Sequence, residues 1–204
     1  MHKIRYVNKL FIVTFLFIFI MSVSSCFNIP TYKPVNIFDI GIPKAIKLAG
    51  IDLEIVDFLN DSETIQKMLY RVGKNRVEYD RYNKWSASPN RLLSNYLKAA
   101  FSTESDSSEN IVLNLAGSIN SFQIDLVNKQ VMLSVIYRIR HKGNLVKQYK
   151  ETIMTKFTQE TPVSFAEAMS KNAEKLASLL KKQVEKIKNN IGNNNSNSKG
   201  VLVP

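Results

Sequence analysis

"IVLNLAGSINSFQIDLVNKQVMLSVIYRIRHKGNLVKQYKETIMTKF", Ile111 to Phe157, carries apolar side chains at every second position over much of its length. Residues two apart along a strand share a face, so this pattern predicts strands and not helix. The first runs from Ile111 through Ile119 to Leu126, with a bend near Gly117. The second is "VMLSVIYRIR", Val131–Arg140, and the third is "LVKQYKETIMTKF", Leu145–Phe157, with Gly143 and Asn144 as the turn between them. Three consecutive strands with short connections make an antiparallel meander.

A helix is expected on each side of the meander. Upstream, Ser88 and Pro89 form a start signal: serine can accept from an orphan amide, and proline at the first helical position loses no hydrogen bond. Leu92, Leu93, Tyr96, Leu97, Ala100 and Phe101 then recur at helical spacing. Downstream, Pro162 and Ser164 precede a stripe of Phe165, Met169, Ala173, Leu176, Leu180, Val184 and Ile187. The run "STESDSSEN" reads as a polar loop between the first helix and the meander.

Further toward the N-terminus, Met68–Val72 and Arg76–Tyr82 read as a hairpin turning at Gly73-Lys74-Asn75. "AGIDLEIVDFL" alternates as a strand through Ile51, Leu53 and Ile55, ended by a turn at Asn60-Asp61-Ser62. Pro30, Pro34 and Pro43 argue against continuous helix from Phe27 to Lys47, leaving a tether and a short extended piece at Asn36–Ile40. Strand and helix runs mixed in this way, with hairpins and no βαβ series, indicate an α+β fold. An antiparallel or mixed sheet should carry its two main helices on one face. The tail "NNIGNNNSNSKGVLVP" is polar and repetitive, and disorder is expected from residue 188 to 204.

No motif for catalysis stands out. His2 lies near the N-terminus, and His141, beside Lys142, reads as a solvated turn residue, so no Ser-His-Asp triad or His-rich metal cluster can be assembled. G-x-S-x-G, G-x-x-x-x-G-K-[ST] and G-x-G-x-x-G are all missing, and with seven glycines in the chain phosphate-cradling loops are disfavoured. Glu78 and Asp80 share a strand face, and Asp57 and Asp61 flank a turn; alternating acids on a strand are ordinarily a solvated face. We assign no catalytic residue, metal or cofactor. The densest group of aromatic and charged side chains is "YDRYNKWSASP", in which Tyr79, Arg81, Tyr82 and Trp85 could form a partner-binding surface or cover the rim of a core.

The N-terminus reads as an export signal. Lys3, Arg5 and Lys9 precede the apolar run "LFIVTFLFIFIM", and Ser22, Val23, Ser24 and Ser25 lead into Cys26. Unless it extends through the serines to Phe27, the run falls short of the roughly 20 residues that span a bilayer. Cys26 is the single cysteine, so an internal disulfide is impossible, and a metal site would need further ligands. "VSSC" resembles the lipobox of bacterial lipoproteins, which implies that Cys26 is acylated and becomes the mature N-terminus. The full chain has a net charge of +11; loss of residues 1–25 with Lys3, Arg5 and Lys9 leaves +8. Such a domain favours anionic headgroups or an acidic partner, and an exported lipoprotein is not expected to meet nucleic acid. The expected organisation is a signal over 1–25, a lipidated tether over 26–35, an α+β domain over 36–187 and the tail.

"MLYRVGKNRVEYDRYNKWSASPNRLLSNYL", Met68 to Leu97, resembles the PqiC-like auxiliary lipoproteins of ABC-type, MCE-associated lipid transport systems. Tyr70, Arg71, Tyr79, Trp85 and Pro89 match the family pattern: a "YR" strand, a Tyr-rich partner strand, a tryptophan, then proline and a Leu-rich helix. "LNLAGSINSFQIDLVNKQVMLSVIYRI" is similar to the strands that follow, with Phe122 at an aromatic position. Ser86, Ala87 and Ser88 depart from the acidic and proline residues usual after the tryptophan, as does the Asn-rich tail. The resemblance implies a non-catalytic periplasmic lipoprotein on the outer membrane, working with an MCE-domain protein and ABC transporter components, and by analogy assembling with copies of itself. Two rival readings remain: an envelope-assembly or pilotin-like lipoprotein supporting an outer-membrane machine, and a lipid carrier with a cavity of several hundred Å3 between its sheet and helices, the order of known ligand pockets.

Overall fold

The computed structural model describes residues 32–59, 66–102 and 110–197. The chain divides into two units, residues 1–34 and 35–204; the second holds the elements described below. The strands are β1 (Asn36–Phe38), β2 (Ile51–Ile55), β3 (Lys67–Arg71), β4 (Val77–Trp85), β5 (Ile111–Asp125), β6 (Gln130–His141) and β7 (Asn144–Lys156). Two helices complete the domain, α1 (Pro89–Phe101) and α2 (Pro162–Asn197).

The meander forms as expected. β5 pairs antiparallel with β6, and β6 with β7, in near-continuous register. One parity of β6, Val131, Leu133, Val135, Tyr137 and Ile139, is fully buried, whereas Arg138 and Arg140 of the other parity are exposed. The period of two therefore translates directly into one core face.

The β3–β4 hairpin is antiparallel, but three further pairings are parallel: β1 with β4, β2 with β5 and β3 with β5. β2 and β3 share one edge of β5. β2 takes its first half, at Ile111–Leu115, and β3 its last residues, at Ile124 and Asp125. The seven-stranded sheet is thus mixed, in the order β1-β4-β3-β5-β6-β7 with β2 alongside β5. A parallel neighbour needs a crossover, and α1, lying between β4 and β5 in the chain, supplies it.

Both helices lie on one sheet face. The Tyr137 hydroxyl donates to Gln183 of α2, the Asn172 amide donates to the Val131 carbonyl at 3.1 Å, and Ser94 of α1 accepts from the Phe58 amide at 2.8 Å. Phe58 lies against Gly117. A methyl group at Gly117 would come within 2.6 Å of the Phe58 ring, 2.7 Å of the Ile136 carbonyl oxygen and 2.9 Å of the Tyr137 Cβ. This glycine serves close approach. The irregularity expected near it falls instead between Ile119 and Ser121, where the β5–β6 register shifts. That bulge lets both Ile119 and Phe122 reach the core, although they are three residues apart.

Three expectations need correction. Ser88 precedes α1 but makes no side-chain cap; the hydroxyl is buried, and its backbone carbonyl accepts from Leu92 at 2.9 Å. Pro89, with its fixed φ, starts the helix. Ser164 lies inside α2, where its hydroxyl accepts from the Thr158 and Gln159 amides at 3.2 and 3.3 Å. The Thr161 hydroxyl is the cap, accepting from the Ser164 amide at 3.3 Å. Finally, α2 does not stop at residue 187 but continues to Asn197. Ile191 extends the apolar stripe against the core, so the helix carries on into the Asn-rich stretch where disorder was expected. Residues 198–204, and the expected turn at Asn60-Asp61-Ser62, lie outside the described residues.

Candidate interaction surface

The "YDRYNKW" segment occupies β4, and its residues separate by burial. Trp85 is 2% exposed and meets Phe122 edge to face at 5.2 Å; its amide donates to the Gln66 carbonyl at 2.7 Å. It packs β4 onto β5 and is removed from the surface proposed for it. Tyr79 and Tyr82 are 45% and 37% exposed, and Arg81 is exposed with them. These three remain exposed on β4.

Asp80 fixes the backbone that presents them. Its Oδ1 accepts from the Tyr82 and Asn83 amides at 2.8 and 2.9 Å. Its Oδ2 accepts from the Tyr70 hydroxyl and the Asn83 side-chain amide, both at 2.7 Å. The β3–β4 register shifts over this stretch, so that Lys67 faces Lys84 while Leu69 faces Tyr79. Asp80 satisfies the donors freed there. Burial acts to raise its carboxyl, but the hydrogen bonds from Asn83, Tyr70 and the two amides outweigh it and hold the group below its usual range. Burial first, then Asp80, pushes the Tyr70 hydroxyl upward, so it stays protonated and donates.

Asp125 repeats the arrangement at the end of β5. It accepts from the Asn128 amide at 3.0 Å and its side chain at 2.7 Å. Burial raises this carboxyl, yet Asn128, the Val127 amide and the Arg71 guanidinium together lower it. Arg71 also donates to Gln123 at 3.3 Å. The "YR" of β3 thus has two structural partners, Tyr70 on Asp80 and Arg71 on the β5 end.

Both depressed carboxyls make stability depend on pH in one direction. Each is charged in the folded chain at pH values where the unfolded chain already takes up protons. Their contribution is complete above the unfolded value of about 4 and is lost as pH falls through the folded values. Urea midpoints should fall between about pH 5 and pH 3, and Asp80→Asn should flatten that decline while lowering the midpoint at neutral pH. An identical acid profile for Asp80→Asn would contradict this assignment.

The other residues considered for chemistry have structural partners. Glu78 pairs with Arg76, Asp57 pairs with Lys98 at 2.6 Å, and Asp61 lies outside the described residues. His141 ends β6 and does not sit in the turn, with Nδ1 3.0 Å from the Val112 carbonyl oxygen. Among the described residues no group of three or more His, Cys, Asp or Glu is placed to hold a metal. None of their helices is long and apolar enough to cross a membrane.

Between the sheet and the helices lies a packed apolar core. Met68, Leu93, Leu97, Leu113, Leu133 and Leu180 are all fully buried, and the grooves found lie outside this core. One of about 630 Å3 separates β7 from α2 and includes Met154, Lys175 and Leu179. One of about 720 Å3 lies between α1, α2 and the segment after β1. A third, about 270 Å3, lies beside Val56, Leu59, Ile136 and Arg138. The groove between β7 and α2 is open and mixes Met154 and Leu179 with Lys175 and Glu174, unlike the enclosed apolar cavity expected of a lipid carrier. Sequence reasoning missed these grooves because each depends on how separate elements pack and not on the pattern within one of them.

The domain is of the α+β class, with an exposed aromatic strand and open grooves on its surface. The family of ABC-type transport auxiliary lipoprotein components matches it over residues 64–180, more than half of the chain, and the chain belongs to that family. The resemblance carried by Met68–Leu97 is thereby borne out. Membership associates the chain with ABC-type transport systems and with the cell envelope. Among solved structures, a protein from Xanthomonas campestris is similar with a TM-score of 0.66 and 12% identity, over 78% of this chain and 99% of its own. A second, uncharacterized protein has a TM-score of 0.60 and 12% identity, over 74% and 99%. At such identity the likeness is one of fold. No curated protein matches the sequence.

Proposed function

We propose that this chain is a periplasm-facing lipoprotein, held at the outer membrane by acylated Cys26, that docks the conduit of an ABC/MCE-type lipid transport system there. The observation that carries this reading is the family match across the hairpin, α1 and the meander. The buried apolar core supports a docking role over carriage, since its leucine and aromatic side chains pack against one another. Tyr79, Arg81 and Tyr82 are the contact residues of the proposal. Aromatic and arginine side chains concentrate at binding hot spots, and Asp80 holds the strand that displays them.

Co-purification under conditions that keep the anchor intact tests it. The full chain should recover an MCE-domain protein or an ABC component, and combined Tyr79→Ala and Arg81→Ala should weaken that recovery at least about tenfold while leaving the fold unchanged. Recovery of neither class of protein would overturn the proposal.

A further inference from the structure

The segment after β1 is pinned at both ends and displayed between them. Ile40 is fully buried at its start. At its end the Ile46 amide donates to the Ala100 carbonyl of α1 at 2.7 Å, and Leu48 is buried. Asp39 shapes the exit from β1: its Oδ1 accepts from the Gly41 amide at 2.9 Å, and its Oδ2 accepts from the Ser86 hydroxyl at 2.5 Å. Gly41 takes φ of +79°, a conformation that favours glycine. The next residue, Ile42, is 97% exposed. Ile37, on the outer strand β1, is 70% exposed. An isoleucine presented to this extent by a fixed turn has no packing role in the domain.

Cations line the groove next to this apolar tip in the chain. Lys44 and Lys47 follow Ile42, and with Lys181 and Lys182 of α2 they line the groove of about 720 Å3. Glu174 and Glu185 line it as well, and Lys181 pairs with Glu185 at 3.9 Å. The four lysines still outnumber the two acids. An exposed apolar residue flanked by lysines is the pattern that engages an anionic bilayer: the apolar group enters the headgroup boundary and the ammonium groups meet the phosphates.

The length of chain outside the described residues selects the occupant. Val35 lies nine steps along the chain from Cys26, with eight residues between them, and a chain spans at most about 3.5 Å per residue. An acyl anchor at Cys26 therefore keeps the start of β1 within about 30 Å of the leaflet, and the segment that follows β1 is among the first parts of the domain to meet it. We propose that Gly41–Lys47, with Lys181 and Lys182, forms a membrane-contact surface that lays the domain against anionic phospholipid. This inference rests on the acylation of Cys26 for its placement, and on the segment's own geometry for its chemistry.

The test uses the full chain reconstituted in vesicles of phosphatidylcholine, alone or mixed with phosphatidylglycerol, with lipids brominated near the headgroup end of the chains. Trp85 is the native tryptophan and is buried, so an indole introduced by Ile42→Trp reports its own surroundings. Its emission should shift to the blue and be quenched about twofold in the phosphatidylglycerol vesicles. High salt should relieve the quenching. Lys44→Gln and Lys47→Gln should each weaken the docked population about fivefold. Leu145→Trp, exposed near the start of β7, should show no lipid-dependent change. Intact mass separates the two ways of failing. An acylated chain whose indole is unquenched, or is quenched equally at residue 145, overturns the contact surface and leaves the anchor standing. A chain without acyl mass overturns the anchor and the placement with it.

Discussion

Trp85→Ala should lower the free energy of unfolding by about 3–5 kcal/mol, the range for removing a large aromatic side chain from a core. Three features put it at the upper end. The indole is almost completely buried, it sits edge to face on Phe122, and its strand joins β1 on one side and β3 on the other. The neighbouring backbone is committed: Ser86 donates to the Phe38 carbonyl at 2.7 Å and Trp85 donates to Gln66. The surroundings therefore have little freedom to collapse into the cavity. Trp85→Phe should recover part of the loss, because a ring still meets Phe122. Tyr79→Ala and Arg81→Ala should stay within about 0.5 kcal/mol of the parent, as exposed substitutions do. Urea unfolding followed by far-UV circular dichroism separates the classes. An unchanged midpoint for Trp85→Ala would show that the indole does not hold β4 to β5, and would return it to the list of contact residues.

The division of "YDRYNKW" into packing and display marks where sequence patterning stops being informative. Periodicity identifies which residues share a face, and it correctly separates Val131, Leu133, Val135, Tyr137 and Ile139 from Arg138 and Arg140. It assumes one unbroken register. Between Tyr79 and Lys84 the β3–β4 register shifts, and the simple alternation of Tyr79, Arg81 and Trp85 no longer predicts a common environment. The signal that marks the irregularity is Asp80 followed three residues later by Asn83, a local Asx-type arrangement that competes with the ladder.

Parallel pairing was hidden for a different reason. β2 and β3 are too short for their hydrophobic patterns to specify a partner. Their alignment along one edge of β5 depends on α1 as a crossover, a relation between elements and not a property of either. The fold class, the meander and the helix stripes were legible because each is encoded within a few turns or one hairpin. The groove between α1, α2 and the segment after β1 was not, because it joins Lys44 and Lys47 to Lys181 and Lys182 across more than half the chain. The extension of α2 to Asn197 was masked by composition: asparagine has modest helix propensity, but Ile191 continues the stripe and lets packing override it.

Cys26→Ser should have the largest effect on where the protein resides. Each methylene placed in a bilayer contributes about 0.8 kcal/mol; a single chain gives only reversible binding, and stable anchoring needs a second signal. If Cys26 carries more than one acyl chain, its loss removes retention by orders of magnitude, far more than the exchange of any lysine at Gly41–Lys47. The two contributions also respond differently to salt. Lysine contacts are screened once the Debye length shrinks to about 3 Å near 1 M, whereas a buried acyl chain is indifferent to ionic strength. The parent should remain with membranes through a high-salt wash. Cys26→Ser should leave the chain either unprocessed or in the soluble fraction, and any processed chain that stays should depend on anionic lipid and be released by salt. Lys44→Gln added to Cys26→Ser should weaken that residual binding about fivefold, yet in the acylated parent Lys44→Gln should leave retention intact. Normal processing of Cys26→Ser, with retention that survives the wash, would show that the anchor lies elsewhere in the chain, and the docking role at the outer membrane would lose its point of attachment.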